Sequence, residues 1–418
     1  MRRDGGLRLT VEVVIRLLHT ADWHLGAALH GWSREPEHRA ALAQLIEIAR
    51  AQAVNAIIVA GDIFDSLNPS AEAQRLLYET LRDLRAACPA ATIALIAGNH
   101  DPAGRLEAPR ALFEFAGVHS IGVVARASGA IDPRAHLVPV KDDAGVTAAH
   151  ILALPYPRAA DLPVAGADVS GSPIVWGVRE LYREAAAAAR REIGDAPLIL
   201  TGHLHVAGGL ESEGAERRIL IGGEHAAPPD IFPADVAYVA LGHLHRPQKV
   251  GRETIRYSGS LIPMSKTEID YDHGVSLVEI DAAGAARIEH RPIGRSVAHL
   301  RLPARGALAL DEIAGALAEF CTSLPADAPS PFLHLTVRVD GPATGLKAEI
   351  DAIVEQFPVR LVSLTIERPR LEQAPQTTSV RLADCAPRDL FTAAFTHTHG
   401  VEPTPAHLQC FDQLTPDA

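Results

Sequence analysis

The chain has 418 residues, 47% hydrophobic and 22% charged, with 39 Lys and Arg against 51 Asp and Glu, for a formal net charge of −12 at pH 7. Such a composition excludes a disordered or collagen-like polymer and leaves room for two or three domains. The acidic balance argues against holding nucleic acid by bulk electrostatics, because duplex binding is driven largely by cationic neutralisation of phosphates.

The N-terminus, MRRDGGLRLTVEVVIRLL, is basic and then apolar, but Glu12 and Arg16 interrupt it and no small-residue cleavage site follows. It reads as an extension, residues 1–13, running into a first strand. No apolar run approaches the ~20 residues of a membrane helix, so a cytoplasmic chain with no membrane partner is expected. Cys88, Cys321, Cys385 and Cys410 are scattered and form no CxxC, which fits a reducing compartment and argues against a thiolate metal site.

Five short β-branched runs recur: VVIRLL (13–18), AIIVA (56–60), TIALIA (92–97), PLILT (197–201) and VAYVAL (236–241). Helical stripes lie between the first three, one of Leu42, Leu45, Ile46 and Ala49, the next of Leu76, Leu77, Leu81 and Leu84 behind the start signal Pro69-Ser70. A further helix is expected from about Val178 to Glu192. Strands alternating with helices predict an α/β layered fold with buried sheets. Residues 157–173 and 207–218 read as loops, and GVSLVEI and AARIEHR flank the turn signal at Asp281–Gly284 as a hairpin closing the first domain.

A second unit follows. A strand at 298–302, a helix face of Leu310, Ile313, Leu317 and Phe320, the alternating strand FLHLTVRV, a helix face of Leu346, Ile350, Ile353 and Phe357, and a last strand VRLVSLTI predict a small α+β module. The expected boundaries are 14–294 for the first domain, 295–367 for the module, 368–379 for a polar, Pro-bearing linker and 380–418 for a helical tail. The tail carries Leu390, Phe391 and Phe395, then Leu408, Phe411 and Leu414, patches that either dock back or bind a partner as helices.

Each of the five runs ends in a polar cluster: HTADWH, GDIFD, GNHD, GHLH and GHLH again. Ligand sites in open α/β folds form beyond the carboxyl ends of strands, so these clusters are expected to converge. Glycines 61, 98, 202 and 242 allow the tight exits. Asp22, His24, Asp62, Asn99, His203, His243 and His245 offer oxygen and imidazole donors and no thiolate, a set suited to Mn, Fe or Zn rather than Ca. Seven donors exceed one tetrahedral site and fit two cations sharing a carboxylate, the usual arrangement for in-line displacement at phosphorus.

The order D-x-H, GD-x-x-D, GNHD, GH, GHxH resembles that of the calcineurin-like metallophosphoesterases. HTADWHLG, SREPEH (33–38), VAGDIFD, AGNHD, TGHL, ALGHLHRPQ and YSGSLIPMS (257–265) narrow the resemblance to the SbcD family of double-strand-break repair nuclease subunits, over about residues 13–294. The resemblance implies a four-layer α/β/β/α sandwich with a capping module and a helical tail that grips a partner. It implies that Asp22, His24 and His245 hold one cation and Asn99, His203 and His243 a second, with Asp62 between them. His100 then meets the scissile phosphate and protonates or stabilises the leaving 3′ oxygen, Asp101 orients that imidazole, and Asp65 is an outer carboxylate that fixes ligand orientation. His205 is a departure, read as a polar residue opening a loop. His19, His30 and His38 read as structural or surface, and Trp23 as packing beneath the site.

The implied activity is 3′→5′ exonuclease action on duplex ends and endonuclease action on hairpins or single strands. It requires two divalent ions, Mn²⁺ foremost, and an SbcC-like coiled-coil ATPase, with the chain a homodimer inside a heterotetramer. The sequence holds no GxxxxGK[ST], so ATP work falls to the partner. With a net charge of −12, the isolated chain is expected to bind DNA weakly and with strong salt dependence. Two alternatives stay open: a metallophosphoesterase acting on nucleotides or phosphoproteins, and a scaffold for DNA ends and a partner with vestigial chemistry.

Overall fold

The computed structural model describes residues 13–166, 171–212, 226–325, 328–339, 345–368 and 386–414, and the chain separates into two compact units, Met1–Ser296 and Val297–Ala418. The predicted extension except Val13, part of each predicted loop and nearly all of the predicted linker lie outside the described residues. Among the described residues no helix is long and apolar enough to cross a membrane.

In the first unit, β1 (Val13–Thr20), β2 (Ala56–Ala60), β3 (Thr92–Ile96) and β4 (Val118–Ile121) run parallel, with α1 (Glu35–Ala51) and α2 (Ala71–Ala87) between the first three. The Ser70 side chain caps α2 by accepting from the Ala73 amide at 3.2 Å, as the Pro69-Ser70 signal predicts. A second sheet contains β5 (Leu137–Lys141), β6 (Thr147–Leu152), β7 (Leu198–His203), β8 (Tyr238–Gly242), β9 (Gln248–Val250) and β10 (Arg252–Tyr257). Its order is β9-β10-β8-β7-β6-β5, with β6, β7, β8 and β10 parallel and β9 and β5 antiparallel at the edges. The helix expected from Val178 begins earlier, as α3 (Pro173–Ile193), because Ser172 and Pro173 supply its cap and first residue within a stretch that composition alone marks as loop. The hairpin β11 (Gly274–Asp281) and β12 (Ala286–Pro292) closes the first sheet in the order β12-β11-β1-β2-β3-β4.

Alternation along the strands makes the layers. Leu18, Ile57, Val59, Ile93 and Leu95 pack against Leu42, Leu45, Leu76, Leu77 and Leu81 of α1 and α2. Their neighbours Leu17, Ile58, Ala94 and Ile96 face Val140, Ile151, Ile199 and Ala240 of the second sheet. On its far side, Leu198, Leu200, Val239 and Leu241 meet Val178, Leu181, Tyr182 and Ala185 of α3. The result is an α/β/β/α sandwich, in which each buried Leu or Ile contributes about 1.5–3 kcal/mol of transfer free energy. Two imidazoles clip the sheets together at one end. His19 Nδ1 lies 2.9 Å from the Tyr238 hydroxyl and its Nε2 3.1 Å from the Leu241 carbonyl, while His203 Nδ1 donates to the Ala60 carbonyl at 2.9 Å. The carboxyl ends of β1, β2, β7 and β8 therefore share one edge.

The second unit is a β-α-β-α-β module: β13 (His299–Leu302), α4 (Ile313–Thr322), β14 (Phe332–Arg338), α5 (Leu346–Val354) and β15 (Arg360–Glu367), its three strands parallel in sequential order. Leu333, Leu335 and Val337 pack with Ile313, Leu317, Leu346 and Ile350. Two tail helices, α6 (Pro387–His399) and α7 (Pro405–Leu414), meet through stacked Phe391 and Phe411 rings, 4.5 Å between centroids, and neither helix buries a residue.

Candidate metal centre

The loops after β1 and β2 continue the parallel pairing of those strands. Asp22, His24 and Leu25 donate their amides to the carbonyls of Gly61, Asp62 and Ile63 at 3.0, 3.0 and 2.8 Å. Asp22, His24, Asp62 and His243 all hold positive φ, at 53°, 47°, 46° and 103°. Left-handed backbone costs a non-glycine residue about 1–2 kcal/mol, so four such residues mark a place where geometry is kept against strain. Gly61 has φ +89°, and a Cβ there would strike the His203 ring, so only glycine lets the β2 exit lie against β7.

The side chains converge. His24 Nε2 and His245 Nε2 are 3.1 Å apart, both rings buried. Asp62 Oδ2 lies 3.3 Å from His203 Nε2 and 3.8 Å from His24 Nε2, between the two imidazoles, while its Oδ1 accepts the His100 amide at 2.8 Å. Asn99 Oδ1 is 3.0 Å from His203 Nε2. Asp22 accepts the His243 amide at 2.9 and 3.2 Å, tying the β1 and β8 loops together. Among the described residues, donor atoms of Asp22, His24 and His245 lie within 4.8 Å of one another, as do those of Asp22, Asp62 and His203, and those of His24, Asp65 and His100. His243 joins by its ring, 5.4 Å from that of His203.

This set fits divalent cations. His245 Nδ1 donates to Glu268 Oε1 at 3.0 Å, and His203 Nδ1 donates to a carbonyl, so in each neutral ring the Nε2 lone pair turns into the cluster. The His245 nitrogen stands 3.1 Å from His24 Nε2, and these imidazoles, beside inward carboxylates and without a thiolate, form an oxygen and imidazole donor set for a hard-to-borderline cation. In the metal-free protein, burial works against charge on His203, but the Asp62 carboxylate overrides it, with Asp22 and the Ala60 carbonyl behind, and raises the imidazole to about 9. Burial also opposes the Asp62 anion, and His203 and His24 reverse this and lower its carboxyl. Burial and the neighbouring His203 drive His243 well below the usual imidazole range. Cations must therefore displace the His203 proton. Titration of metal-free protein with Mn²⁺ at neutral pH should release about one proton from this pair, read by calorimetry in buffers of different ionisation enthalpy. The release should fade, and the affinity stop rising, above a pH of about 9.

Around the donors, His100 Nδ1 donates to the Asp65 carbonyl at 2.8 Å, and Asp65 Oδ1 lies 3.4 Å from His24 Nδ1. Asp101 departs from expectation. Its carboxylate is fully buried and accepts the amides of Gly98, Ile63 and Phe64 at 2.8, 3.1 and 2.8 Å. It braces the β2 and β3 loops against each other, and the Asp65 carbonyl, not Asp101, holds the His100 ring. Burial and Asp62 push the Asp101 carboxyl up to about 6, against those three amides. His205 turns toward Glu211, 3.4 Å away, and His19 is the clip between sheets. Trp23 is wholly buried with its Nε1 on Thr20 Oγ1 at 2.9 Å, so it packs beneath the site and offers no face to a base.

Glu268 is the residue that the motifs do not reveal. It is fully buried, receives His245 Nδ1 on Oε1 and the Met264 amide on Oε2 at 2.8 Å, and so sets the orientation of a metal-facing ring. It stands three residues beyond YSGSLIPMS, at the end of a single 3-10 turn (Lys266–Glu268), and in the polar run KTEIDYDH nothing in the sequence sets this acid apart from Asp270 and Asp272. Glu268→Gln should weaken cation affinity about tenfold to a hundredfold, measured by titration, with little change in fold.

Comparison with known proteins agrees with this architecture. A family model described as calcineurin-like phosphoesterase matches residues 15–247, and one described as type 5 capsule protein repressor C-terminal domain matches residues 301–399. The chain is similar to the SbcD subunit of the nuclease SbcCD of Rhodobacter capsulatus, 50% identical over 91% of this chain and 94% of that one. It is also similar to the SbcD subunits of Bacillus subtilis, 36% identical over 63% of this chain and 66% of that one, and of Escherichia coli K12, 32% identical over 86% and 87%. The chain belongs to the calcineurin-like phosphoesterases and, within them, to the family of SbcD subunits of the nuclease SbcCD.

Proposed function

We propose that the chain is a metal-dependent DNA phosphodiesterase, the nuclease subunit of an ATP-dependent complex of the SbcC–SbcD kind acting in DNA repair and recombination. One observation carries the reading: five loops far apart in sequence bring four imidazoles, two carboxylates and an amide to one edge of a double sheet. Asp22, His24 and His245 would hold one cation and Asn99, His203 and His243 a second, with Asp62 available to both. Two divalent cations, Mn²⁺ in this reading, supply Lewis-acid charge to the phosphoryl oxygens and a more acidic water. The chain's own residues do the rest. Asp62 and Asp22 balance the charge, Glu268 and the Ala60 carbonyl hold the imidazoles, and His100, fixed through Nδ1, presents Nε2 to the leaving 3′ oxygen as a proton donor.

The same reading gives 3′→5′ exonuclease action on duplex ends and endonuclease action on single strands and hairpins, in the cytoplasm. The names of the relatives support a partner of the SbcC type, an ATPase that supplies the DNA surface this acidic chain lacks. In this reading the module at 295–367 helps to position DNA. The tail helices, with no buried residue and a seam of phenylalanines, grip the coiled coil of the partner. Leu112 and Phe115, exposed to 76% and 96%, support self-association into a homodimer within a heterotetramer. The test is cleavage of a hairpin-ended duplex with Mn²⁺, with and without a co-expressed SbcC-like ATPase. Cutting that needs the metal and quickens with the ATPase is expected. Steady hydrolysis of nucleotides with no action on DNA would overturn the reading.

A further inference from the structure

Beside the metal centre, at the same edge of the sheets, lies a cleft of about 310 Å³ lined by Arg246, Gln248, Arg256, Asp270, Tyr271 and His290, among others. A volume of that order is at the small end of ligand sites and matches one nucleotide unit. The cleft is keyed to the centre by two adjacent cross-links. His245 reaches Glu268 at 3.0 Å, and the next residue, Arg246, lays its guanidinium over the Tyr271 ring, 5.4 Å from the centroid. The segment that orients a metal-facing imidazole therefore also carries the aromatic wall. Tyr271 is fixed at both ends, its amide donating to the Glu268 carbonyl at 3.0 Å and its hydroxyl accepting from Ser212 Oγ at 3.1 Å.

Most of the charges lining the cleft are paired. Arg256 is tied to Glu253 of its own strand, and His290 Nε2 stands 3.4 Å from Asp272. Arg246 is exposed, and among the described residues no carboxylate lies within ion-pair distance of it. An exposed cation held on an aromatic face, one residue from a histidine of the metal centre, suits a phosphate that has just left, or is about to enter, that centre. Asp270 and Asp272 also line the cleft, so within it Arg246 is where a phosphate meets positive charge.

We propose that this cleft is a nucleotide subsite: it receives the unpaired nucleotide adjoining the scissile phosphodiester, with the base extending the Arg246–Tyr271 stack and the flanking phosphate on Arg246. The proposal rests on the nuclease reading above. Stacking against a fixed ring and a guanidinium plane is tolerant of sequence but requires a base released from its pair, so the subsite favours single strands, frayed ends and hairpin loops over intact duplex. Arg246 and Tyr271 are positioning residues; the bond is broken elsewhere.

The test compares two substrates on the Mn²⁺-loaded full chain: a single-stranded deoxyoligonucleotide, and bis(p-nitrophenyl) phosphate, a diester without a nucleoside. The readout is the ratio of kcat/KM on the first to kcat/KM on the second. Tyr271→Leu and Arg246→Ala should each lower that ratio about tenfold, mainly through KM for the oligonucleotide, while Tyr271→Phe should keep it within about twofold. A ratio unmoved by Arg246→Ala and Tyr271→Leu overturns the subsite, and so does a fall in Tyr271→Phe as deep as in Tyr271→Leu, which would mark the hydroxyl's packing rather than the stack. Because Arg246 is exposed, its variant decides the matter if Tyr271→Leu does not fold. Failure of the wild-type chain on the oligonucleotide, with or without action on the simple diester, would instead overturn the nuclease reading.

Discussion

Asp62→Asn should lower Mn²⁺-dependent DNA hydrolysis by at least about a thousandfold while leaving the chain folded. The substitution keeps the shape of the side chain and an oxygen able to accept the His100 amide, so the β2 and β3 loops stay joined. It removes the one negative charge that, among the described residues, stands within 4 Å of both His24 and His203. Both halves of the donor set lose their shared counter-charge at once, which is why the effect should exceed that of any outer residue such as Glu268. Steady-state rates on single-stranded and hairpin DNA, with cation content measured on the same preparation, check this. A loss of less than about tenfold would mean that the two groups of donors work independently, against the shared carboxylate.

His100→Ala should reduce kcat on DNA by about 10²–10⁴ and leave the cations in place. The hydrogen bond of His100 to Asp62 runs through its backbone amide, which alanine preserves, so metal content separates this variant from Asp62→Asn. The ring itself is held through Nδ1 by the Asp65 carbonyl and stands 5.0 Å from the His24 ring. If its task is to protonate the leaving oxygen, the penalty should shrink on a diester whose leaving group is p-nitrophenolate, which departs without a proton. An equal penalty on both substrates would assign the ring to holding the phosphate instead.

The parts of the fold that can be read in the sequence are those where one stretch of chain carries a complete signal. Each of AIIVA, PLILT and VAYVAL is buried on both faces, because one face meets helices and the other the second sheet, so it appears as an unbroken apolar run. The polar cluster that stops each run is the donor it delivers. The edge strands β5 and β9 and their neighbour β10 are not legible: LVPVK, QKV and RETIRY mix polar and apolar residues because one side of each borders solvent or a neighbouring loop. The start of α3 is hidden behind a Gly- and Pro-rich stretch that its cap happens to terminate.

The site divides along the same line. Asp22, His24, Asp62, Asn99, His203, His243 and His245 lie next to strand ends, and it is their convergence that is legible from position. Glu268 and Tyr271 come from an irregular loop whose meaning exists only through partners more than twenty residues away, His245 and Arg246. Asp101 is legible as a buried acid beside His100 but not in its work, since a carboxylate capping three amides and one orienting an imidazole look alike in sequence.

The number of cations that the intact chain takes up is the most direct check on a shared two-metal centre. Isothermal titration of metal-free, full-length protein with Mn²⁺, checked by elemental analysis of the loaded form, should give two per chain in the wild type and fewer than two in Asp62→Asn. A wild-type chain that binds one or none, with all seven donors present, would contradict the shared centre.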